Sequence, residues 1–374
     1  MRIGTLSQAI TSVMIFQLIE EGKISLDTKL SVFFTEIPNS ENITIKHLLQ
    51  QSSGLHNMDV DIEKNIFDSW FYSTQSRDEM IAGIAQWPNE FEPGGKIQYS
   101  AANYILLGYI IESVMSSQFA QQVQSRVIER CEMSRTYSAI GIERKSFEIP
   151  SYYRNDGWIE FPSSDLSGAI GNASVVSNSH DLTRFCSALF EGQLISASSL
   201  STMLGLQSSL AITKDPSIGK SGEGYLQSGG IDNFGSMMLY VPEDSICFAI
   251  TLAGMNYPIG QLFWKSVELY YGVETEIPSF KPIKIPARST KKYTGIYTSS
   301  DGTSFEITTR KEALFLLMNG KSSGKLELEA LDENWFQNES MGIMIRFGRN
   351  EKNKIDQLLF YQGRLIAQFT KTGS

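Results

Sequence analysis

The chain has 374 residues, 41% of them hydrophobic and 20% charged, with a formal net charge of −9. That length allows a large core plus a second folded unit, and the balance is ordinary for a soluble globular protein. The negative charge is spread along the chain and disfavours nucleic acid and anionic membrane surfaces, because both reward clustered Lys and Arg.

Three cysteines (Cys131, Cys186, Cys247) and three histidines (His47, His56, His180) are scattered without metal-ligand spacing. No metal site and no cofactor are expected from them. The odd cysteine count argues against a disulfide framework and fits a reducing compartment. There is no membrane-length apolar run and no signal peptide, so the chain as written is expected to be cytoplasmic. Met1, however, stands only a few residues before a helix that belongs in the middle of a domain. The expectation is that an opening segment is missing or that the true start lies upstream. In the second case the protein belongs to the periplasm or cell surface.

In chain order, Met1 to Gly22 reads as a short extended lead-in and then a long amphipathic helix stopped by Gly22. Its apolar positions Ile10, Val13, Met14, Leu18 and Ile19 recur at helical spacing. Thr5 and Gln8 lie three apart at the helix start, and so on one face. The segment ITIKHLLQQSSGL predicts a short helix ending at Gly54, with His47 as a structural histidine. Helical segments follow around 62–71 and 77–86, then the turn-rich EPGGK and the apolar helix IQYSAANYILLGYIIESVM. Residues 118–137 read as an amphipathic helix and a connector, and 138–167 as an irregular loop over a cleft. In GAIGNASVVSNSHDLTRFCSALFEG a Gly-rich turn precedes a helix capped by Asp181 and ending near Gly192.

Residues 205–224 are Ser- and Gly-rich and read as a mobile loop. From Tyr225 the pattern turns to strands, with Pro242-Glu243-Asp244 signalling an antiparallel hairpin. A helix over 261–271 closes this unit. A Pro-rich linker, 276–290, is expected next. Beyond it eight short strand patterns, from YTGIYTS to RLIAQFTK, predict a small antiparallel barrel or sandwich. The expected architecture is α/β of the α+β kind. A domain over 1–275 has an antiparallel central sheet flanked by helices and lacks its N-terminal strands, and an all-β barrel-like domain spans 291–374.

Three stretches together carry a resemblance. RIGTLSQAITSVMIFQLIEEGKISLDTKL, FEPGGKIQYSAANYILLGYIIESV and GYLQSGGIDNFGSMMLYVPE resemble the three motif regions of the β-lactamase-related serine hydrolases, the group of class C β-lactamases, penicillin-binding proteins, D-aminopeptidases and esterases. The resemblance covers nearly the whole chain and implies the β-lactamase/transpeptidase-like fold. It also implies a Ser-x-x-Lys pair, a Tyr-x-Asn and an edge-strand Lys- or His-x-Gly. Placed on this chain, the nucleophile position is Thr5, the base position Gln8, the second-motif base Tyr99, the second-motif Asn position Ala101, and the third motif Gln227 with Gly229.

The substitutions have unequal consequences. Thr5 keeps a hydroxyl but adds a methyl that stiffens its side chain. Gln8 is the larger loss, because an amide takes up no proton near neutral pH, and loss of a positioned base costs about 10²–10⁴ in rate. Ala101 removes a donor and acceptor for substrate, and Gln227 carries no charge. The literal Ser-x-x-Lys matches Ser217 to Lys220 and Ser322 to Lys325 open no apolar helix and read as chance; Ser7 has Ile10 where a Lys is needed. The reading is therefore a catalytically impaired or inactive pseudoenzyme that keeps the substrate cleft for a small-molecule or peptide acyl ligand. Two alternatives remain open: a working hydrolase or acyltransferase on small esters, amides or peptides through Thr5, and a truncated, non-functional product. The sequence says nothing of oligomeric state.

Overall fold

A computed structural model describes residues 1–58, 72–140, 145–206, 211–214, 218–219, 221–275, 281–300, 302–310, 313–318, 325–362 and 364–373. The helix expected around 62–71, Ser217 and Lys220 of one Ser-x-x-Lys match, and 322–324 of the other fall outside these residues. The described helices are α1 (Ser7–Glu20), α2 (Ile45–Leu49), α3 (Arg77–Ala85), α4 (Ala101–Met115), α5 (Phe119–Val123), α6 (Ser179–Phe190), α7 (Ala197–Gly205) and α8 (Ile259–Tyr270), with a last turn at Ala287–Thr290. The strands are β1 (Tyr137–Ser138), β2 (Tyr152–Arg154), β3 (Trp158–Glu160), β4 (Val175–Val176), β5 (Ala211–Lys214), β6 (Glu223–Ile231), β7 (Phe234–Val241) and β8 (Ile246–Leu252), then β9 to β16 in the C-terminal part.

The chain divides into two compact units. The first holds Met1–Ser151 and Pro162–Ala253; the second holds Tyr152–Phe161 and Gly254–Ser374.

In the first unit β5 to β8 form an antiparallel sheet in the order β5-β6-β7-β8. The β6–β7 turn has Asp232 and Asn233 both at positive φ (48° and 60°), the twist-matched two-residue hairpin turn. Helix α6 packs on β7 and β8; its Phe190 stacks on Tyr240 of β7 with ring centroids 3.7 Å apart. Helix α1 runs through the helical core beside α4, α5 and α7.

The structure corrects several readings. Helix α1 is not amphipathic: every residue from Ser7 to Leu18 is buried. Gln8, Thr11, Ser12 and Gln17 all make hydrogen bonds inside the protein, so the helix has no solvent face. It does end as expected, with Gly22 N–H on Ile19 O and Lys23 N–H on Leu18 O, the paired bonds of a Schellman stop. Helix α2 ends at Leu49, not Gly54, because Gln51 takes the left-handed conformation (φ 55°). His47 is structural, as expected: it completes a capping box with Thr44. The cap of α6 is Asn178, whose Oδ1 accepts the Asp181 N–H. Asp181 instead accepts the Arg135 N–H and the Thr136 hydroxyl. Strand pairing starts at Ala211, inside the stretch read as a loop.

In the second unit β9 to β16 close an eight-stranded antiparallel barrel, with β9 (Gly295–Thr298) paired to both β10 (Ser304–Arg310) and β16 (Arg364–Gly373). The intervening strands are β11 (Ala313–Met318), β12 (Leu326–Ala330), β13 (Trp335–Asn338), β14 (Ile343–Arg349) and β15 (Ile355–Gln362). Alternation selects the interior: Phe305 and Ile307 on β10, Leu314 and Leu316 on β11, and Ile345 and Phe347 on β14 are all buried together. Closure leaves this sheet no free edge. The stretch read as an irregular loop contains the β2–β3 hairpin, turned by Asn155-Asp156-Gly157 with Asp156 at φ 50°. Of 276–290, residues 276–280 lie outside the described set, and Ile283 N–H donates to Ala330 O on β12.

Candidate functional site

The candidate site is built where the start of α1 meets β6. Residues Gly4–Leu6 form a single 3₁₀ turn that leads into α1. Two polar anchors on the preceding residues fix it: Ile3 N–H donates to Val175 O at 3.1 Å, and Ser236 Oγ donates to Ile3 O at 2.8 Å. Gly229 on β6 lies flat against this turn. A Cβ there would stand 2.1 Å from Ile3 O, 2.5 Å from Leu6 N and 2.9 Å from Thr5 N. Only a residue without a side chain allows the strand so close.

This approach brings Thr5, Gln227 and Gly229 together. Thr5 is half-buried and its hydroxyl donates to Ser228 O at 3.2 Å. Gln227 Nε2 donates to Thr5 O at 3.1 Å. Gln8, one turn into α1, is buried, and its Nε2 donates to Asn172 Oδ1 at 2.7 Å. The Tyr99 hydroxyl reaches the same Asn172 Oδ1 at 3.4 Å, while the Tyr99 ring is 41% exposed. Asn172 thus joins Gln8 and Tyr99.

Asn172 is the polar residue that the sequence reading missed. It is held by a tight crossing with α4: a Cβ on Gly171 (φ +68°) would stand 2.3 Å from Tyr104 O, and Gly108 lies against the same backbone. Thr11 Oγ1 adds a bond to Gly171 O at 2.7 Å. The one signal in the sequence is the Gly-rich turn immediately before it.

Tyr99 is placed by the start of α4. Ser100 caps nothing with its side chain; instead Asn57 Oδ1 accepts the Ala101 N–H at 3.1 Å and Gln51 Oε1 accepts the Ser100 N–H at 3.0 Å. Ala101 itself is buried at the first turn of α4.

A second polar cluster holds the same turn from behind. The Arg2 guanidinium pairs with Asp232 at the β6–β7 turn and donates to Ser164 O at 2.7 Å. Ser164 Oγ donates to Asp232 at 2.9 Å, and Glu148 lies 3.7 Å from Arg2 Nε. Burial pushes the Asp232 carboxyl above its ordinary range, against the pull of Arg2 and Ser164. Tyr137 donates to Glu148, and burial with that bond raises its hydroxyl to about 12.

The chemistry available at the candidate site is hydrogen bonding. None of Thr5, Gln8, Tyr99, Ala101, Asn172, Gln227 and Gly229 is charged near neutral pH. The proton of the Thr5 hydroxyl points at a backbone carbonyl, which is no base. Among the described residues no group of three His, Cys, Asp or Glu could hold a metal ion, and no helix is long and apolar enough to cross a membrane.

The helix that opens on Thr5 and Gln8 lies against an antiparallel sheet whose β6 carries Gln227 and Gly229, and the fold is that of the β-lactamase and penicillin-binding-protein-like serine hydrolases. The chain belongs to the Beta-lactamase family, whose profile matches residues 1–261. It is 23% identical to Penicillin-binding protein 4* of Bacillus subtilis (strain 168), with 96% of this chain and 85% of that protein aligned. The putative penicillin-binding protein PbpX of the same organism is 26% identical, over 54% of this chain and 49% of its own length. Among solved structures, the octameric penicillin-binding protein homologue from Pyrococcus abyssi superposes with a TM-score of 0.63 at 20% identity, covering 99% of this chain and 88% of that one. These likenesses agree with the fold described above.

Proposed function

We propose that this chain is a family member that has lost acyl-transfer chemistry and retains the cleft as a hydrogen-bonding pocket for a small-molecule or peptide acyl ligand. One observation carries the reading: where the base should be, the Gln8 amide is buried and its Nε2 is already committed to Asn172. An amide cannot take the hydroxyl proton, and lysine chemistry cannot be supplied from that position. The half-exposed Thr5 and Tyr99 and the intact Gly229 contact support retention of a cleft.

Acylation tests this directly. The protein is incubated with a fluorescent penicillin and, separately, a fluorophosphonate, and its intact mass is measured. The expected result is the unmodified mass; a stoichiometric adduct on Thr5 would overturn the proposal. A second reading, slow turnover of small esters through Thr5, draws on the partial exposure of that hydroxyl. It requires p-nitrophenyl ester hydrolysis that falls in Thr5→Val; equal rates in both proteins remove it.

A further inference from the structure

Two cysteines far apart in the sequence meet where α6 packs on β8. Cys186 lies in α6 and is fully buried; Cys247 lies in β8 and is half-exposed. Helix α6 packs directly on β8. The two thiols are within hydrogen-bonding reach of each other, and Ser187 Oγ lies 3.5 Å from Cys247 Sγ. Cys247 packs against the same core cluster that contains Cys186. Cys131 is buried elsewhere in that core and has no part in the pair.

We propose that Cys247 and Cys186 form an oxidisable dithiol, with Cys247 as the attacking thiol and Cys186 as the resolving one, and a peroxide as the oxidant. The roles follow from placement. Cys247 has solvent access, which Cys186 lacks. Hydrogen bonds from Cys186 and Ser187 lower the Cys247 thiol below its ordinary range, so more of it is thiolate. Burial, followed by the bond to Cys247, raises Cys186, which keeps its proton until the partner has reacted.

The chemistry balances with hydrogen peroxide alone. The Cys247 thiolate attacks one peroxide oxygen, the O–O bond breaks, hydroxide leaves, and a sulfenic acid forms. Cys186 sulfur then attacks the Cys247 sulfur. The S–O bond breaks, the departing hydroxide takes up the Cys186 proton as water, and the disulfide forms. Two thiols are oxidised and one peroxide is reduced to water.

The product would tie the middle of α6 to the edge strand β8. The loop it closes contains α7 and β5 to β7, and therefore β6 with Gln227 and Gly229. Oxidation at this pair would thus constrain the strand that walls the candidate site, without any contact to Thr5. The inference stands apart from the proposed function, since it needs no acyl chemistry.

The test uses the whole protein and stoichiometric hydrogen peroxide, followed by alkylation and unreduced peptide mapping. The expected product is a Cys186–Cys247 cross-linked peptide, lighter than the sum of its parts by two hydrogen atoms. In Cys186→Ser the resolving thiol is gone, and Cys247 should accumulate sulfenic acid that dimedone traps; this variant removes only one sulfur for oxygen and keeps the test open if the disulfide itself is sterically blocked. Cys247→Ser should lose both products. The proposal is overturned if Cys247 stays reduced in the wild type and in Cys186→Ser under conditions that oxidise free glutathione, or if Cys131 reacts as fast as Cys247.

Discussion

The two ends of helix α1 are held in different ways. At its start, buried groups do the holding: the Arg2–Asp232 pair, the Gly229 contact and the Gln8–Asn172 bond. At its end the anchors are at the surface. Arg126 makes a two-pronged contact with Glu21 at 2.6 and 3.2 Å, and Lys23 reaches the same carboxylate at 2.8 Å. The end nearest the candidate site is thus the costlier one to disturb. Under the proposed function, that investment is in the shape of the site and not in its chemistry.

The sharpest way to break this contrast is Arg2→Met. It leaves Asp232 buried without its countercharge, a loss of about 3–5 kcal/mol, and urea unfolding should show it. Gly229→Ala comes next. The new Cβ meets backbone atoms of the α1 lead-in, which cannot swing away as a side chain could. The strand must shift, at a cost of about 1–3 kcal/mol, visible as a lower denaturation midpoint. A midpoint unchanged in either variant would mean that the start of α1 is no more firmly held than its end.

Asn172→Ala tests the side-chain half of the same end. The buried Gln8 Nε2 loses its acceptor, and an unsatisfied buried donor costs about 1–3 kcal/mol. Pairing it with Gln8→Leu should recover part of that loss, because both polar partners are then gone. A double-mutant cycle that shows no coupling would separate Gln8 from Asn172.

How much of this was readable beforehand varies with the range of the interactions. The barrel was legible because each strand carries its own period-two pattern and its own turn, so eight local signals added up to eight strands. The stop of α1 at Gly22 was local in the same way. The burial of α1 on all sides was not, because Gln8, Thr11 and Ser12 find their partners at Asn172, Gly171 and Tyr104, which are distant in sequence. Asn172, the Arg2–Asp232 pair and the cysteine pair were missed for that reason. A buried polar residue looks like a surface one until its partner is known. Asp181 shows the converse error: a residue with the right type for a cap was already engaged by Arg135 and Thr136.

The smallest effect lies at the far end of α1 and depends on pH. The Arg126 hydrogen bond, with help from Lys23, lowers the Glu21 carboxyl from 4.5 to about 2. Its folded pKa is below its unfolded one, so its contribution is present above 4.5 and is lost as pH falls toward 2. The carboxylate is 37% exposed, so solvent screening limits the effect to at most about 1 kcal/mol. Asp232 has the opposite sign. Burial raises its carboxyl, so whatever stability that shift contributes is present at low pH and is lost as pH rises through the folded value. Through these two groups, acid therefore loosens only the exposed end of α1. Thermal melts of wild type and Glu21→Gln should differ at neutral pH and converge between pH 4.5 and 2. A gap that persisted at pH 2 would show that the Glu21 contribution is not electrostatic.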